Sequence, residues 1–113
     1  MSERLPSGML VSALLRRVND AGGIGVMLAR GDAQGGGILI IALESGQNPR
    51  ALERGVGPDG AVRLIMWTPQ DVDGHTAMTD YWRRRRRNDP DLWVIELDSP
   101  FAERFAAETI LTD

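Results

Sequence analysis

Five consecutive arginines, Arg83 to Arg87, are the part of the sequence whose residue type and spacing suggest a binding chemistry most directly. A guanidinium group binds carboxylates and phosphates through paired hydrogen bonds, so clustered arginines favour anionic partners. The side chains of five successive helical residues point all round the helix, and about three of them can share one surface. We therefore take Arg83, Arg84, Arg86 and Arg87 as candidate residues for binding an anion or a partner.

Arg85 is expected to play a different part from its neighbours, because it falls on the same helical stripe as Met78 and Trp82. That stripe is the apolar side of the helix, so the guanidinium would be drawn toward the core. A buried charge needs a partner of opposite sign. The sequence offers these nearby carboxylates: Asp89, Asp91 and Glu96.

The net charge of the chain limits the classes of partner that the arginine cluster could bind. The chain has 16 acidic residues against 13 arginines and a formal net charge of −3, which argues against binding of nucleic acid by the surface as a whole. Tyr81 and Trp82 could stack on bases if exposed, but we expect them to be buried. An acidic protein surface is thus the preferred partner and nucleic acid the alternative. A solvated helix end, or pairing with the nearby aspartates, would also explain the run.

Asp71, Asp73 and His75 form the one arrangement that resembles a metal-binding motif, and His75 is the only histidine. In an extended backbone the three side chains would share a face, as metal ligands could. Acidic residues at the start of a helix are explained equally well by the helix dipole. We predict that the protein has no metal and no cofactor.

The remaining motifs do not indicate catalysis. The glycine-rich segments 22–25 and 35–37 each precede a predicted strand, whereas a phosphate-binding loop leads into a helix and usually carries a lysine. The chain has no cysteine and no Gly-x-Ser-x-Gly motif. We assign no catalytic residue. A small enzyme with a carboxylate-based site is the alternative class, and a cleft holding two carboxylates, or His75 with a carboxylate, would favour it.

Length and composition indicate a single globular domain over residues 1–113. The first residues lack the features of a signal peptide, and the longest apolar run, Ile38 to Leu43, is too short to span a bilayer. We therefore expect a soluble protein in the cytoplasm that does not bind membranes.

Hydrophobic periodicity and turn residues predict an α+β fold. A helix begins at Pro6-Ser7 and is ended by Gly22-Gly23, and a short helix follows Ser99-Pro100 at the end of the chain. The other predicted elements are the strands Ile24–Arg30, Gly37–Glu44, Arg50–Arg54 and Ala61–Trp67, the helix Asp71–Arg87 and the strand Leu92–Leu97.

The first four strands are expected to form an antiparallel meander, with the fifth strand antiparallel to the first, in the order 5-1-2-3-4. We expect the three helices to pack on one face of this sheet. The fifth strand is too apolar to lie bare at an edge, so either the terminal helix or a second copy must cover it. Of these two alternatives we favour the second copy, which would make the protein a homodimer.

Four stretches of the sequence resemble a known family of small proteins: Leu10–Asn19, Arg30–Asp32, Asn48–Arg50 and Asp89–Asp98. The last stretch, which contains Asp-Pro-Asp-Leu-Trp-Val-Ile-Glu, is the most specific. The family is a domain of unknown function from alphaproteobacteria. The resemblance implies a stand-alone domain and supplies no activity, cofactor or catalytic residue. The best interpretation of the sequence is a non-enzymatic binding or protein-interaction module.

Overall fold

The computed structural model describes residues 4–70 and 74–111. Within these residues the chain forms three helices and five strands, which confirms the α+β class and the predicted order of elements. The elements are α1 (Ser7–Asp20), β1 (Ile24–Ala29), β2 (Ile38–Glu44), β3 (Gln47–Val56), β4 (Val62–Trp67), α2 (His75–Asn88), β5 (Trp93–Asp98) and α3 (Ala102–Ile110). None of the helices in the described part of the chain is long and apolar enough to cross a bilayer.

The end of α1 lies where its sequence predicts. Gly22 adopts a positive φ of 87°. Its N–H donates to the carbonyl of Asn19, and the N–H of Gly23 donates to the carbonyl of Val18 at 2.9 Å. This pair of hydrogen bonds is a Schellman motif, which satisfies carbonyls that the helix end leaves without partners. The chain can then turn directly into β1.

The strand order is β1-β5-β2-β3-β4, so the predicted order 5-1-2-3-4 is wrong in the position of the fifth strand. β5 lies between β1 and β2, antiparallel to the first and parallel to the second. The predicted meander of four strands is therefore a meander of three, and the predicted pairing of β1 with β2 does not form. Residues 30–37 connect β1 to β2, and this is longer than the usual hairpin loop. The length leaves room for another strand between them.

β5 occupies the interior of the sheet because its side chains are apolar on both faces. Trp93, Val94, Ile95 and Leu97 are all buried. The predicted position of this strand at an edge of the sheet, covered by the terminal helix or by a second copy, is wrong, since both of its neighbours are strands of the same chain. The homodimer stays a prediction, but β5 gives no reason for it.

The helices pack on both faces of the sheet, so the prediction of helices on one face is wrong. Ile38 and Ile40 of β2 belong to the same core cluster as the buried residues of α1 and α3. Leu39 and Ile41 belong to a second cluster with Met78 of α2. Alternate residues of a strand point to opposite faces, so α2 covers the face opposite to α1 and α3. The unbroken apolar sequence of β2 requires cover on both sides.

The turn between β2 and β3 is tighter than predicted. Ser45 and Gly46 have φ values of 49° and 74°, which makes a two-residue hairpin loop with positive φ at both positions. The carboxylate of Asp98, at the end of β5, accepts hydrogen bonds from both N–H groups at 2.8 Å. β3 consequently begins at Gln47 rather than at Arg50 and is ten residues long.

Candidate functional site

The inner face of α2 is built from residues spaced three and four apart. Met78 is buried among Leu39, Ile41 and neighbouring side chains of the sheet. Tyr81 and Trp82 are half-buried and pack against the same cluster. This confirms the predicted apolar stripe and fixes the rotation of the helix about its axis.

Arg85 continues this inner face and is bound by a carboxylate, as its position predicts. Its two terminal nitrogens donate to the two oxygens of Glu53 at 2.6 and 2.8 Å, and Nη1 also donates to the hydroxyl of Tyr81 at 2.9 Å. The hydrogen bonds to Glu53 raise the pKa of Arg85 against the opposing effect of burial.

The partner of Arg85 was not among the expected carboxylates, which were Asp89, Asp91 and Glu96. Glu53 lies in β3, and 32 positions of sequence separate it from Arg85. Asp89 instead accepts a hydrogen bond from the N–H of Asp91, in the turn that leads to β5. The one sequence signal for Glu53 is that it is an acidic residue inside a strand.

Arg83, Arg84 and Arg87 lie on the outer side of α2, and all three are exposed. A helix advances about 100° per residue, so Arg83 and Arg87 fall nearly opposite Arg85, with Arg84 beside them. The guanidinium of Arg83 lies 5.6 Å from the centre of the Trp82 ring. We call these three residues the arginine ridge.

Arg86, the fourth predicted site residue, does not belong to the ridge. Its side chain is half-buried, and Nη2 donates to the carbonyl of Arg30 at 2.8 Å. Arg86 therefore holds the end of α2 against the segment that follows β1. The side chain of Arg30 itself lies over the ring of Trp93. Trp93 belongs to the core cluster of α1 and α3, on the face of the sheet opposite to α2.

Among the residues described, the acidic residues near the arginine ridge do not neutralise its positive charge through ion pairs. Asp80 precedes Arg83 and Arg84 by three and four positions, a spacing at which helical side chains can pair. Within residues 4–70 and 74–111, however, neither Arg84 nor Arg87 forms an ion pair. The interpretation of the run as intramolecular pairs with nearby aspartates is thus not supported for these two residues.

The aromatic residues beside the ridge are occupied. The Tyr81 ring stacks on Trp67 of β4, with centroids 4.2 Å apart and planes 10° apart. Trp82 is half-buried against the second core cluster. Each ring therefore has part of its surface occupied by other side chains, which leaves less of it for a base to stack on.

The possible metal motif is only partly described. Asp71 and Asp73 lie outside the described residues, as does the predicted helix start at one of them. His75 is the first residue of α2 and is exposed. In the part of the chain that the structure describes, no three His, Asp or Glu side chains are grouped as metal ligands.

The glycine-rich segments serve turns and close packing. Gly22-Gly23 ends α1, as described above. A Cβ atom on Gly36 would lie 2.0 Å from the carbonyl oxygen of Asp91, so that position requires glycine for steric reasons.

A cleft of about 790 Å³ lies at the end of the sheet where β2 and β5 finish. Glu44, His75 and Glu103 are among its lining residues. Arg50 also lines it, and its Nε lies 2.8 Å from an oxygen of Glu103. Two carboxylates and a histidine in one cleft meet the condition that we set for the enzyme alternative, although Glu103 is held by an arginine.

The chain matches a family model over residues 5–107, which is most of its length. The family is described as a protein of unknown function, DUF1491.

The chain belongs to the DUF1491 family. This confirms the family of unknown function that the sequence resembles. No match was found among curated proteins.

Three solved structures are similar to this DUF1491 chain. The crystal structure of a DUF1491 family protein from Caulobacter crescentus is 26% identical, with a TM-score of 0.75, and the match covers 89% of this chain and 94% of that one. An NMR structure of a DUF1491 family protein from the same organism is 26% identical, with a TM-score of 0.71, covering 92% and 94%. Protein Atu0922 from A. tumefaciens is 24% identical, with a TM-score of 0.66, covering 86% and 87%. The source organisms of these matches fit the alphaproteobacterial family that the sequence resembles. Because Atu0922 is only 24% identical, its similarity supports the fold alone.

Proposed function

We propose that this protein is a non-enzymatic interaction module whose arginine ridge docks on an acidic surface of a protein partner. The observation that carries the proposal is the division of the arginine run. Arg85 and Arg86 are used inside the fold, whereas Arg83, Arg84 and Arg87 are exposed on one side of α2. The fold therefore accounts for two of the five arginines and leaves three for another purpose.

The ridge is well placed for recognition because α2 is firmly held. Met78 anchors the helix in the core, and Arg86 attaches its last turn to the segment after β1. A charged surface on a helix that is already fixed loses less conformational entropy when a partner binds. On a chain with a net charge of −3, the ridge would steer an acidic partner toward one side of the molecule.

Nucleic acid is the less favoured ligand for the same ridge. Binding to single strands combines phosphate contacts with stacking of bases on exposed aromatic rings. Tyr81 is stacked on Trp67 instead, and Trp82 is half-buried. The ridge retains the charge for phosphate contacts but has less of this stacking contribution.

Fluorescence anisotropy with labelled polyglutamate, single-stranded DNA and duplex DNA, each at low and at physiological salt, tests the proposal. The variant R83Q/R84Q/R87Q removes the ridge, and R16Q/R30Q/R104Q removes three other exposed arginines as a control of equal charge. We expect the wild type and the control to bind polyglutamate and the ridge variant to bind at least about tenfold more weakly.

Three results would contradict the proposal. Polyglutamate could fail to bind the wild type, or both triple variants could lose binding equally, which would indicate attraction to charge in general. Tighter binding of an oligonucleotide than of polyglutamate, lost in the ridge variant, would assign the ridge to nucleic acid. The slope of log K against log salt would then fall by about 0.7 to 0.9 for each phosphate contact removed.

The cleft at the end of β2 supports a second candidate function, a small enzyme with a carboxylate-based site. Glu44 is exposed, and it lines the cleft together with His75 and Glu103. A thermal-shift screen of small metabolites would test it. A compound that raises the melting temperature of the wild type and of E108Q, but not of E44Q, would identify a ligand for the cleft.

A further inference from the structure

β4 is an outer strand of the sheet, and the described part of the chain covers its apolar side chains only in part, Trp67 being stacked on Tyr81. Val62, Ile65, Met66 and Trp67 are respectively 45%, 42%, 47% and 37% exposed. These are four of the six residues of the strand. Successive residues point to opposite faces, so both faces of β4 contribute to the exposed apolar surface.

The outer backbone groups of β4 are also open. β3 pairs with β4 along one side, from Val56↔Val62 to Ala51↔Trp67. In the part of the chain that the structure describes, no side chain hydrogen-bonds to the backbone of residues 62–67. An unprotected strand edge of this kind is a template for pairing with another strand.

The opposite edge of the sheet, β1, is blocked at Gly25 and irregular between Met27 and Ala29. The side-chain amide of Asn19 accepts a hydrogen bond from the N–H of Gly25 at 2.9 Å and donates to the carbonyl of the same residue at 3.5 Å. The register of β1 also shifts between Met27 and Ala29. A side chain that occupies the outer backbone groups and an irregular register both hinder the addition of a strand.

The open edge is compatible with a second copy of itself. A two-fold axis perpendicular to the sheet would place two β4 strands antiparallel and keep each face of one copy next to the same face of the other. In an antiparallel pair, directly opposite residues point to the same face of the sheet, and the faces alternate along each strand. The two-fold axis must therefore pass beside one residue, which then lies opposite its own copy, and not between two residues. An axis at Leu64 or Ile65 pairs the largest number of residues.

Charge does not oppose this pairing. Arg63 is the one charged residue of β4, and its Nη2 contacts an oxygen of Asp59 at 2.7 Å in the same hairpin. The N–H of Ala61 and the Arg63 guanidinium lower the pKa of Asp59, so this carboxylate is ionised at neutral pH. Two copies would therefore bring together strands whose single charge is already balanced.

We propose that β4 pairs with β4 of a second copy and forms a continuous ten-stranded sheet across a two-fold axis. Because the β1 edge is blocked at Gly25 and irregular beyond Met27, each copy has one uninterrupted open edge, and the assembly closes at two chains instead of growing into a filament. The proposal concerns a surface different from the arginine ridge and does not depend on its function.

Sedimentation velocity of the full chain at micromolar concentrations is the first test. We expect twice the mass of one chain for the wild type. Met66→Lys places a charge on the open edge and should raise the dissociation constant at least tenfold. Val26→Lys is the control, because Val26 is a similarly exposed residue of the β1 edge. Circular dichroism confirms that both variants are folded.

A wild type with the mass of one chain would overturn the proposal and leave the edge to a strand of another protein. Equal dissociation of the two lysine variants would also overturn it, since β1 is not part of the predicted interface.

Cysteine cross-linking is the second test. The chain has no natural cysteine, so any disulfide must form through the introduced residue. At a two-fold axis one residue lies directly opposite its own copy, with Cβ atoms about 4.5–5.5 Å apart, close to the distance that a disulfide needs. Under mild oxidation, one of the variants Leu64→Cys and Ile65→Cys should form a linked dimer readily, and Val26→Cys should not. Failure of both β4 variants to cross-link would reject this pairing.

Discussion

Arg84 and Arg85 are neighbours in the sequence, but Arg84 is exposed, whereas Arg85 is two-thirds buried and bound to Glu53. The same contrast holds for Arg83 and Arg87 against Arg86, which is tied to the carbonyl of Arg30. One run of identical residues thus divides into an inner set that connects α2 to the sheet and an outer set in solvent. The rotation of the helix, set by Met78, decides which arginine belongs to which set.

This comparison separates charge from position. All five guanidinium groups are cationic, so composition alone would give them one role. Their surroundings differ, because among the described residues only the inner positions have protein acceptors within hydrogen-bonding distance. Substitutions on the inner face should therefore change stability, and substitutions on the outer face should change binding.

Arg85→Ala is expected to have the largest effect on stability. It removes two hydrogen bonds to Glu53 and one to Tyr81 and leaves a partly buried carboxylate without a partner. Breaking a fully buried pair costs about 3–5 kcal/mol, and an exposed pair contributes about 0–1 kcal/mol. Since the side chains are 33% and 32% exposed, we expect a loss of about 1–3 kcal/mol in the free energy of unfolding. Urea denaturation measures it.

A double-mutant cycle is the control for this result. Glu53→Ala leaves the guanidinium unpaired, so the two single variants should each lose stability, and the double variant should lose less than the sum. Additive losses would show that the two residues act independently and that the contact between them does not stabilise the fold.

Tyr81→Phe is expected to have an intermediate effect. It removes the hydroxyl that accepts a hydrogen bond from Arg85 and keeps the ring stacked on Trp67. We expect a loss of about 0.5–1.5 kcal/mol, the usual contribution of a single hydrogen bond. Arg85→Ala should abolish this difference, because the hydroxyl then has no guanidinium to bind. A Tyr81→Phe variant as unstable as Arg85→Ala would mean that the ring has moved.

The sequence predicts the elements of this fold well because their signals are local. The apolar stripe of α1, the glycines after it and the proline after α2 all lie within a few residues of the boundaries that they determine. The stripe of Met78, Trp82 and Arg85 likewise predicted that an arginine would turn inward. These signals need no knowledge of distant parts of the chain.

The strand order and the partner of Arg85 depend on long-range contacts and could not be predicted in the same way. The length of the 30–37 connection leaves room for a strand between β1 and β2 but does not indicate which one, since the pairing depends on residues beyond position 92. Glu53 is similar, because several carboxylates were available and the nearest in sequence were preferred. The apolar sequence of β2 did contain one usable signal, which is that both faces of the sheet must be covered.

Arg84→Ala is expected to have the smallest effect on stability, within about 0.5 kcal/mol of the wild type, as is usual for exposed positions. Arg84 has no ion-pair partner among the described residues, and alanine is a good helix former, so the folded state loses little. The same variant should bind polyglutamate more weakly than the wild type if the arginine ridge is the docking surface. A loss above about 1 kcal/mol in urea denaturation would show instead that Arg84 packs against the protein. It would then belong with Arg85 on the structural side of α2, and the ridge would be reduced to Arg83 and Arg87.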